Sequence, residues 1–209
     1  MNFKSRVITL ASCLFSLGAA ATAHANVITV DIFTNQPAYP ASLTRPTTPV
    51  QTILATNDIN FFSNSSNYTL AGFIGSDTHG TYSVVADPGG LSGAETLNNS
   101  TWEFTGTTYL TAGTQYLVRH DDGALLYLNG GSTCVICSAA PTAATNTFFS
   151  VSTSGNYSFD LLYAEVNGAP ATLDAPFAAT SAVPEPSTFA LLGTGLLGAA
   201  GAIRRRIKM

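Results

Sequence analysis

The sequence predicts an all-β ectodomain, a two-sheet antiparallel β-sandwich, preceded by a leader and followed by an apolar helix with a basic end. Three observations support this fold class. Short runs rich in β-branched and aromatic residues recur along the chain, and turn clusters such as residues 87–90 separate them. Only 10% of residues are charged, against roughly 25% in a typical soluble domain. We therefore divide the chain into residues 1–25, 26–182 and 183–209.

The first segment has the features of a secretory signal peptide. A short basic region ending at Arg6 precedes an apolar stretch over residues 7–21. Ala23 and Ala25 form an A-x-A site, which predicts cleavage before Asn26. The alternative is a lipoprotein leader, because residues 10–13 resemble a lipobox, but the apolar region before them is short.

The ectodomain begins with a β-branched strand over residues 27–33, followed by a loop that contains Pro37, Pro40, Pro46 and Pro49. No helix is expected in the ectodomain. Further strands are predicted at residues 60–62, 68–74, 81–86, 102–104, 107–110, 147–151, 157–165 and 171–173.

The segment 115–130 is predicted to be a β-hairpin that turns at Asp121, Asp122 and Gly123. Its second run is apolar on both faces, which predicts a central strand. Two adjacent carboxylates at a turn either bind a cation or accept hydrogen bonds from the backbone of the turn. The sequence leaves both alternatives open.

The segment 157–165 shows the clearest alternation in the chain. Its aromatic and aliphatic positions, Tyr157, Phe159, Leu161 and Tyr163, are predicted to face the core. The acidic residues Glu165, Asp160 and Asp174 are interpreted as a solvated strand face, with a glycosidase-type carboxylate pair as the alternative.

The charge distribution excludes one class of partner. Between residues 26 and 182, Arg45 and Arg119 are the only basic residues and oppose eleven acidic residues, for a net charge of −9. Such a surface repels phosphate backbones, so we expect no nucleic-acid binding. Divalent cations, neutral sugars and simple solubility all remain compatible with it.

Cys134 and Cys137 are predicted to form a local disulfide, because Cys13 leaves with the signal peptide and an exported chain favours oxidised pairs. Free thiols, a metal site and a redox motif are the alternatives. His79 and His120 are the histidines of the mature region. His120 adjoins Asp121 and could act as a base, but we interpret it as structural because no nucleophile motif accompanies it.

Residues 102–173 resemble the second half of a protective-antigen-type sandwich domain. The resemblance lies in Trp102–Gly106 (WEFTG), in the Asp-Asp-Gly segment with its flanking runs, and in a later Gly-x-Tyr that opens a strand with an acidic residue. It implies a two-sheet β-sandwich. In sugar-binding members, it also implies that Asp121 and Asp122 coordinate Ca²⁺ through a cis peptide, together with an Asn from a later loop. Asn146 and Asn167 are the candidates for that Asn.

The C-terminal segment combines three features in a fixed order. Val183, Pro184, Glu185 and Pro186 precede an apolar run over residues 188–203. A basic end follows, made of Arg204, Arg205, Arg206 and Lys208. The run would extend about 24 Å as a helix, slightly short of a bilayer core of roughly 30 Å, and the arginines would hold its end on the cytoplasmic side.

This pattern resembles the PEP-CTERM sorting tail of Gram-negative bacteria. The resemblance implies transient anchoring in the inner membrane through 188–203, processing near Pro184–Pro186 by an exosortase-type membrane peptidase, and delivery to the outer surface or extracellular matrix. Proteins of this kind occur in bacteria that make exopolysaccharide.

We therefore predict an exported, non-enzymatic surface or matrix protein that is adhesive or associated with extracellular polysaccharide, with no certain cofactor and Ca²⁺ as the candidate. The alternatives are a purely structural matrix protein without a ligand and a glycan-processing hydrolase.

Overall fold

The structure is a computed structural model and describes residues 27–34, 48–56, 58–77, 81–179 and 195–196. Ala25–Ala182 forms one compact unit. Of the C-terminal segment, Gly195 and Leu196 are described, and both are helical. The predicted signal peptide and its cleavage site, most of the Pro-rich loop and His79 lie outside the described residues. No described helix has the length and apolar composition needed to span a membrane.

The described part of the ectodomain consists of two antiparallel sheets. Its strands are β1 (Val27–Phe33), β2 (Gln51–Thr56), β3 (Ile59–Ser63), β4 (Tyr82–Ala86), β5 (Ser100–Leu110), β6 (Tyr116–Asp121), β7 (Gly123–Leu128), β8 (Ile136–Ser138), β9 (Thr145–Phe149), β10 (Gly155–Glu165) and β11 (Ala171–Ala175). The larger sheet has the order β4-β2-β1-β5-β10-β7-β8, and the smaller sheet has the order β3-β11-β6-β9. The predicted antiparallel sandwich is confirmed.

Several strands differ from their predicted bounds. The strand β1 has the predicted range, whereas the two runs expected at 102–104 and 107–110 belong to the single strand β5. This strand continues through Gly106 because β10 pairs with it along its whole length. The strands β2 and β8 are additions; β2 carries polar Gln51 on its buried face and apolar Leu54 on the other, which masks its alternation.

The expectation of a strand at residues 68–74 is wrong, as is the expectation of no helix. Leu70–Ile74 forms a short helix, α1, and Pro176–Ala179 forms a 3₁₀ helix. Thr69 caps α1, since its hydroxyl accepts a hydrogen bond from the Gly72 N–H at 3.1 Å. Leu70, Phe73 and Ile74 are the buried residues of α1, and their spacing follows the helical period.

The core lies between the sheets and is rich in aromatic rings. The ring of Phe73 on α1 lies 5.2 Å from that of Trp102 and 5.8 Å from that of Tyr163, centroid to centroid. On β10, the predicted core positions Phe159, Leu161 and Tyr163 are buried, and Tyr157 is partly buried against the same core. These contacts join α1 and the larger sheet into one hydrophobic layer.

The predicted hairpin at 115–130 is wrong. The strand β6 pairs with β11 and β9 in the smaller sheet, and β7 pairs with β10 and β8 in the larger sheet. The chain changes sheet at Asp122, whose φ is +60°. A two-residue hairpin of type I′ would need positive φ at two central residues, but Gly123 already begins β7. The second run was predicted to be a central strand; β7 has a neighbour on each side but lies next to the edge strand β8.

Candidate functional site

The two aspartates lie where the chain crosses between the sheets, and we call this place the corner. The Asp122 N–H donates to the Thr142 carbonyl at 3.1 Å and to the Asp121 carboxylate at 3.0 Å. The Nδ1 atom of His120 lies 2.6 Å from the Asp122 carbonyl oxygen. Asp121 and Asp122 are buried, with 7% and 2% of their surface exposed. The backbone and the side chains of the corner therefore hold the sheet crossing in place.

The carboxylate of Asp122 accepts hydrogen bonds from two other loops of the chain. Its Oδ2 atom accepts from the backbone N–H groups of Val166 at 2.7 Å and Asn167 at 3.0 Å. Its Oδ1 atom accepts from the Thr142 N–H at 3.2 Å and lies 3.4 Å from Nδ2 of Asn167. A carboxylate offers about four lone-pair sites, and protein donors are directed at these oxygens. These donors lie outside the turn, whereas within the turn the Asp121 carboxylate accepts from the Asp122 N–H, as the capping alternative predicts.

Glu165 lies beside the corner and is fully buried. Its Oε1 atom accepts a hydrogen bond from the Tyr68 hydroxyl at 2.6 Å, and its Oε2 atom accepts one from the Tyr163 hydroxyl at 2.8 Å. Burial raises the pKa of Glu165 to about 8, against the lowering effect of the two hydroxyl donors. The interpretation of Glu165 as part of a solvated strand face is therefore wrong.

Burial is the main cause of the shifted pKa values of Asp121 and His120 at the corner. Burial raises the pKa of Asp121, and the negative charge of Asp122 raises it further. Burial lowers the pKa of His120, which favours the neutral ring. Within the described part of the chain, the Nε2 atom of His120 is buried and has no hydrogen-bond partner. His120 points into the core, which fits a structural role rather than that of an accessible base.

The corner does not fit calcium in this arrangement. Ca²⁺ takes 6–8 oxygen ligands, but no group of three or more His, Cys, Asp or Glu side chains that could hold a metal occurs among the described residues. The cis peptide bond found in the described ranges precedes Pro170, so the bond between Asp121 and Asp122 is trans. Asn167 lies at the corner, whereas Asn146 is exposed on β9. The N–H groups of Thr142, Val166 and Asn167 occupy the positions from which a cation would approach the carboxylate of Asp122.

At the corner, sequence reasoning missed Tyr68 and placed Glu165 on the wrong face. A signal for Glu165 was present, because it follows Tyr163 by two positions and must share its inward face. Tyr68 carried no comparable signal, since the hydrogen bond joins it to a residue 97 positions away. Asp160 lies on the opposite face of β10 from Glu165, with Ser158 and Leu162 at alternate positions.

Cys134 and Cys137 are joined by a disulfide, the pairing expected from the sequence. Cys137 belongs to β8, the edge strand of the larger sheet, and Cys134 lies in the loop before it. The bridge closes the short loop that leads into this edge strand.

Residues 182–206 match the PEP-CTERM protein-sorting motif. This match contains Val183, Pro184, Glu185 and Pro186, and it extends through Arg204, Arg205 and Arg206, while Lys208 lies beyond it. The predicted sorting motif is confirmed. It indicates an exported protein that passes through the membrane and is sorted to the cell surface.

The ectodomain is similar to solved PA14 domains, the protective-antigen-type sandwich. The PA14 domain of the antifreeze protein MpAFP superposes with a TM-score of 0.52 and 20% identity, covering 75% of this chain and 85% of that chain. A PA14 sugar-binding domain from an RTX adhesin has a TM-score of 0.48 and 20% identity, covering 72% and 88%. No curated protein sequence matches the chain. The fold is PA14-like, as the resemblance implied.

Proposed function

We propose that the exported domain is a non-catalytic module that associates with extracellular polysaccharide and gives the cell surface or its matrix adhesive properties. The observation that carries this proposal is the combination of a sorting motif at residues 182–206 with a lysine-free, acidic sandwich domain. A protein delivered to that location meets surface polysaccharide, and its charge disfavours nucleic acid and other polyanions.

The arrangement of the corner supports a non-catalytic module. A glycosidase needs two carboxyl groups about 5–9.5 Å apart on either side of an open substrate site. At the corner, Asp121, Asp122 and Glu165 are buried and accept hydrogen bonds from the protein itself. Groups held in this way are unable to reach a glycosidic bond. We therefore propose that the domain is not an enzyme.

The sorting motif supports a route to the surface. We propose that an exosortase-type peptidase processes the chain near Pro184–Pro186, after transient insertion of 188–203 in the inner membrane of a Gram-negative cell. Replacing Glu185 and both flanking prolines by Ala should retain the full chain in the inner-membrane fraction. Release of that variant to the surface in the same amount as the wild type would contradict this route.

Co-sedimentation of residues 26–182 with exopolysaccharide from the producing cells tests the function. We expect binding without release of reducing sugar. Absence of binding would favour a structural matrix protein without a ligand, and release of reducing sugar would favour a hydrolase.

A further inference from the structure

The outer face of the smaller sheet carries a pattern that the corner does not explain. On its four strands, Phe61, Val118, Leu173 and Phe149 are buried in the core. Because successive side chains of a strand point to opposite faces, the residues next to them face outward. The outward positions can therefore be read directly from the register of the sheet.

Four polar side chains form a straight line across this face, and we call them the polar row. In the register, Asn60 pairs with Asp174, Asp174 with Arg119, and Arg119 with Asn146. Each strand of the smaller sheet contributes one member. Arg119 and Asn146 are exposed, and Asn60 and Asp174 are partly exposed. With strands about 4.8 Å apart, the polar row is about 14 Å long.

Two exposed aromatic rings lie on either side of the polar row. Phe62 follows Asn60 by two positions on the edge strand β3, and it is 48% exposed. Phe148 follows Asn146 by two positions on the opposite edge strand β9, and it is 54% exposed. The strands β3 and β9 run in opposite directions, because the three pairings that connect them across the sheet are all antiparallel. A step of two residues from Asn60 and a step of two residues from Asn146 therefore lead to opposite sides of the polar row.

This inference rests on the proposed function: we propose that the polar row, with Phe62 and Phe148, is the polysaccharide-binding surface, and that it binds uncharged polysaccharide. Amide, carboxylate and guanidinium groups in a line offer both donors and acceptors to sugar hydroxyls. An exposed aromatic ring offers a flat apolar surface for the C–H face of a sugar ring. The two kinds of contact are arranged as an extended, solvent-facing platform rather than a closed pocket.

Charge selects the class of polysaccharide. Arg119 is the one Lys or Arg among the described residues, and its register partner Asp174 carries the opposite charge. The polar row therefore has no net charge, within a domain of net charge −9 over residues 26–182. An anionic polymer would meet repulsion without a compensating basic patch. A neutral polysaccharide meets no such repulsion.

The outer face can be tested without disturbing the core. We would measure binding of residues 26–182, whose core lies wholly within this compact unit, to soluble neutral polysaccharides such as dextran and β-glucan, with alginate as the anionic comparison. The test variants are Phe62→Ala with Phe148→Ala, and separately Asn146→Ala. Tyr82→Ala is the matched control, because Tyr82 is 49% exposed on β4 of the larger sheet.

We expect each test variant to bind the neutral polymer roughly tenfold more weakly, with an unchanged melting temperature, while Tyr82→Ala binds like the wild type. If both test variants bind the neutral polymer as tightly as the wild type, this surface assignment is overturned and the proposed function stands. Preference for alginate would overturn the assignment to neutral polymers. A wild-type domain that binds no polysaccharide would overturn both the inference and the proposed function.

Discussion

The hydroxyl of Tyr68 donates a 2.6 Å hydrogen bond to the carboxyl group of Glu165, which is 97 residues away in the sequence. Tyr68 lies just before α1, and Glu165 ends β10. The second oxygen of Glu165 accepts from Tyr163. A buried carboxyl group thus links the segment before the helix to an interior strand of the larger sheet, next to the corner where the chain changes sheet.

The stability of the domain should decrease as pH rises through the titration of Glu165. Its pKa is about 8 in the folded domain, above its ordinary value of 4.5. The folded state therefore holds a proton that the unfolded chain has released between these pH values, and the free energy of unfolding falls across that window. Thermal melts across the same range would measure this slope.

The variant Glu165→Gln isolates this contribution, because glutamine stays uncharged. Its melting temperature should depend less on pH than that of the wild type between pH 4.5 and about 8. His120 contributes the opposite slope, since its pKa is lowered, and this contribution is common to both proteins. Identical pH profiles for the two proteins would contradict a buried protonated Glu165.

Replacing Asp122 should destabilise the domain. Asp122→Ala removes the acceptor for the N–H groups of Val166, Asn167 and Thr142. Buried donors left unpaired cost about 1–3 kcal/mol each, but some will find water, so we expect a loss of about 2–4 kcal/mol in urea denaturation. Asn167→Ala is the control, because it removes only the 3.4 Å contact of the side chain. Equal losses for both variants would refute the role of Asp122 as the acceptor for these three N–H groups.

Calcium should leave the stability of the domain unchanged. The oxygens of Asp122 already accept backbone hydrogen bonds, so a cation would have to displace those donors. We expect equal melting temperatures of residues 26–182 in excess Ca²⁺ and in chelator. A rise in melting temperature with Ca²⁺ that disappears in Asp121→Asn would show that the corner rearranges to bind the ion.

Gly106 should be intolerant of a side chain, whereas Gly155 should accept one. A Cβ atom at Gly106 would lie 2.9 Å from the ring of Phe159, which is its register partner and packs edge-on against Phe177. A Cβ atom at Gly155 would meet nothing within 4 Å. We expect Gly106→Ala to cost about 1–3 kcal/mol. Gly155→Ala should be neutral or slightly stabilising, as chemical denaturation of the matched pair would show.

Much of the architecture could be predicted because strand signals are local. The range of β1 follows from its β-branched residues, and the end of β10 and its core face follow from its period of two, although β10 begins two residues before its predicted start. The helix α1 was missed because its buried residues Leu70, Phe73 and Ile74 also fit an apolar strand of that length. Whether such a short segment forms a helix or a strand depends on Thr69, which caps the helix, and on the aromatic rings that pack against Phe73.

The candidate site was less predictable than the fold. The sequence identified Asp121 and Asp122 but assigned them to a hairpin turn, because Asp-Gly between apolar runs satisfies the local hairpin pattern. The pattern contains no information about the donors from Val166, Asn167 and Thr142 that bind the side chain of Asp122. These donors come from loops that only the assembled sheets bring together.

By itself, the sequence determined the sorting motif at residues 182–206, the acidic and lysine-free character of the domain, and its strand-rich class. These properties depend on composition and on contiguous residues, so no folding is needed to read them. Only the tertiary structure decided that β6 and β7 belong to different sheets, that Tyr68 binds Glu165, and that Asn60, Asp174, Arg119 and Asn146 align across one face. The reason is physical: strand pairing and burial are set by contacts between segments that are distant in the chain, and a local pattern of residues does not contain them.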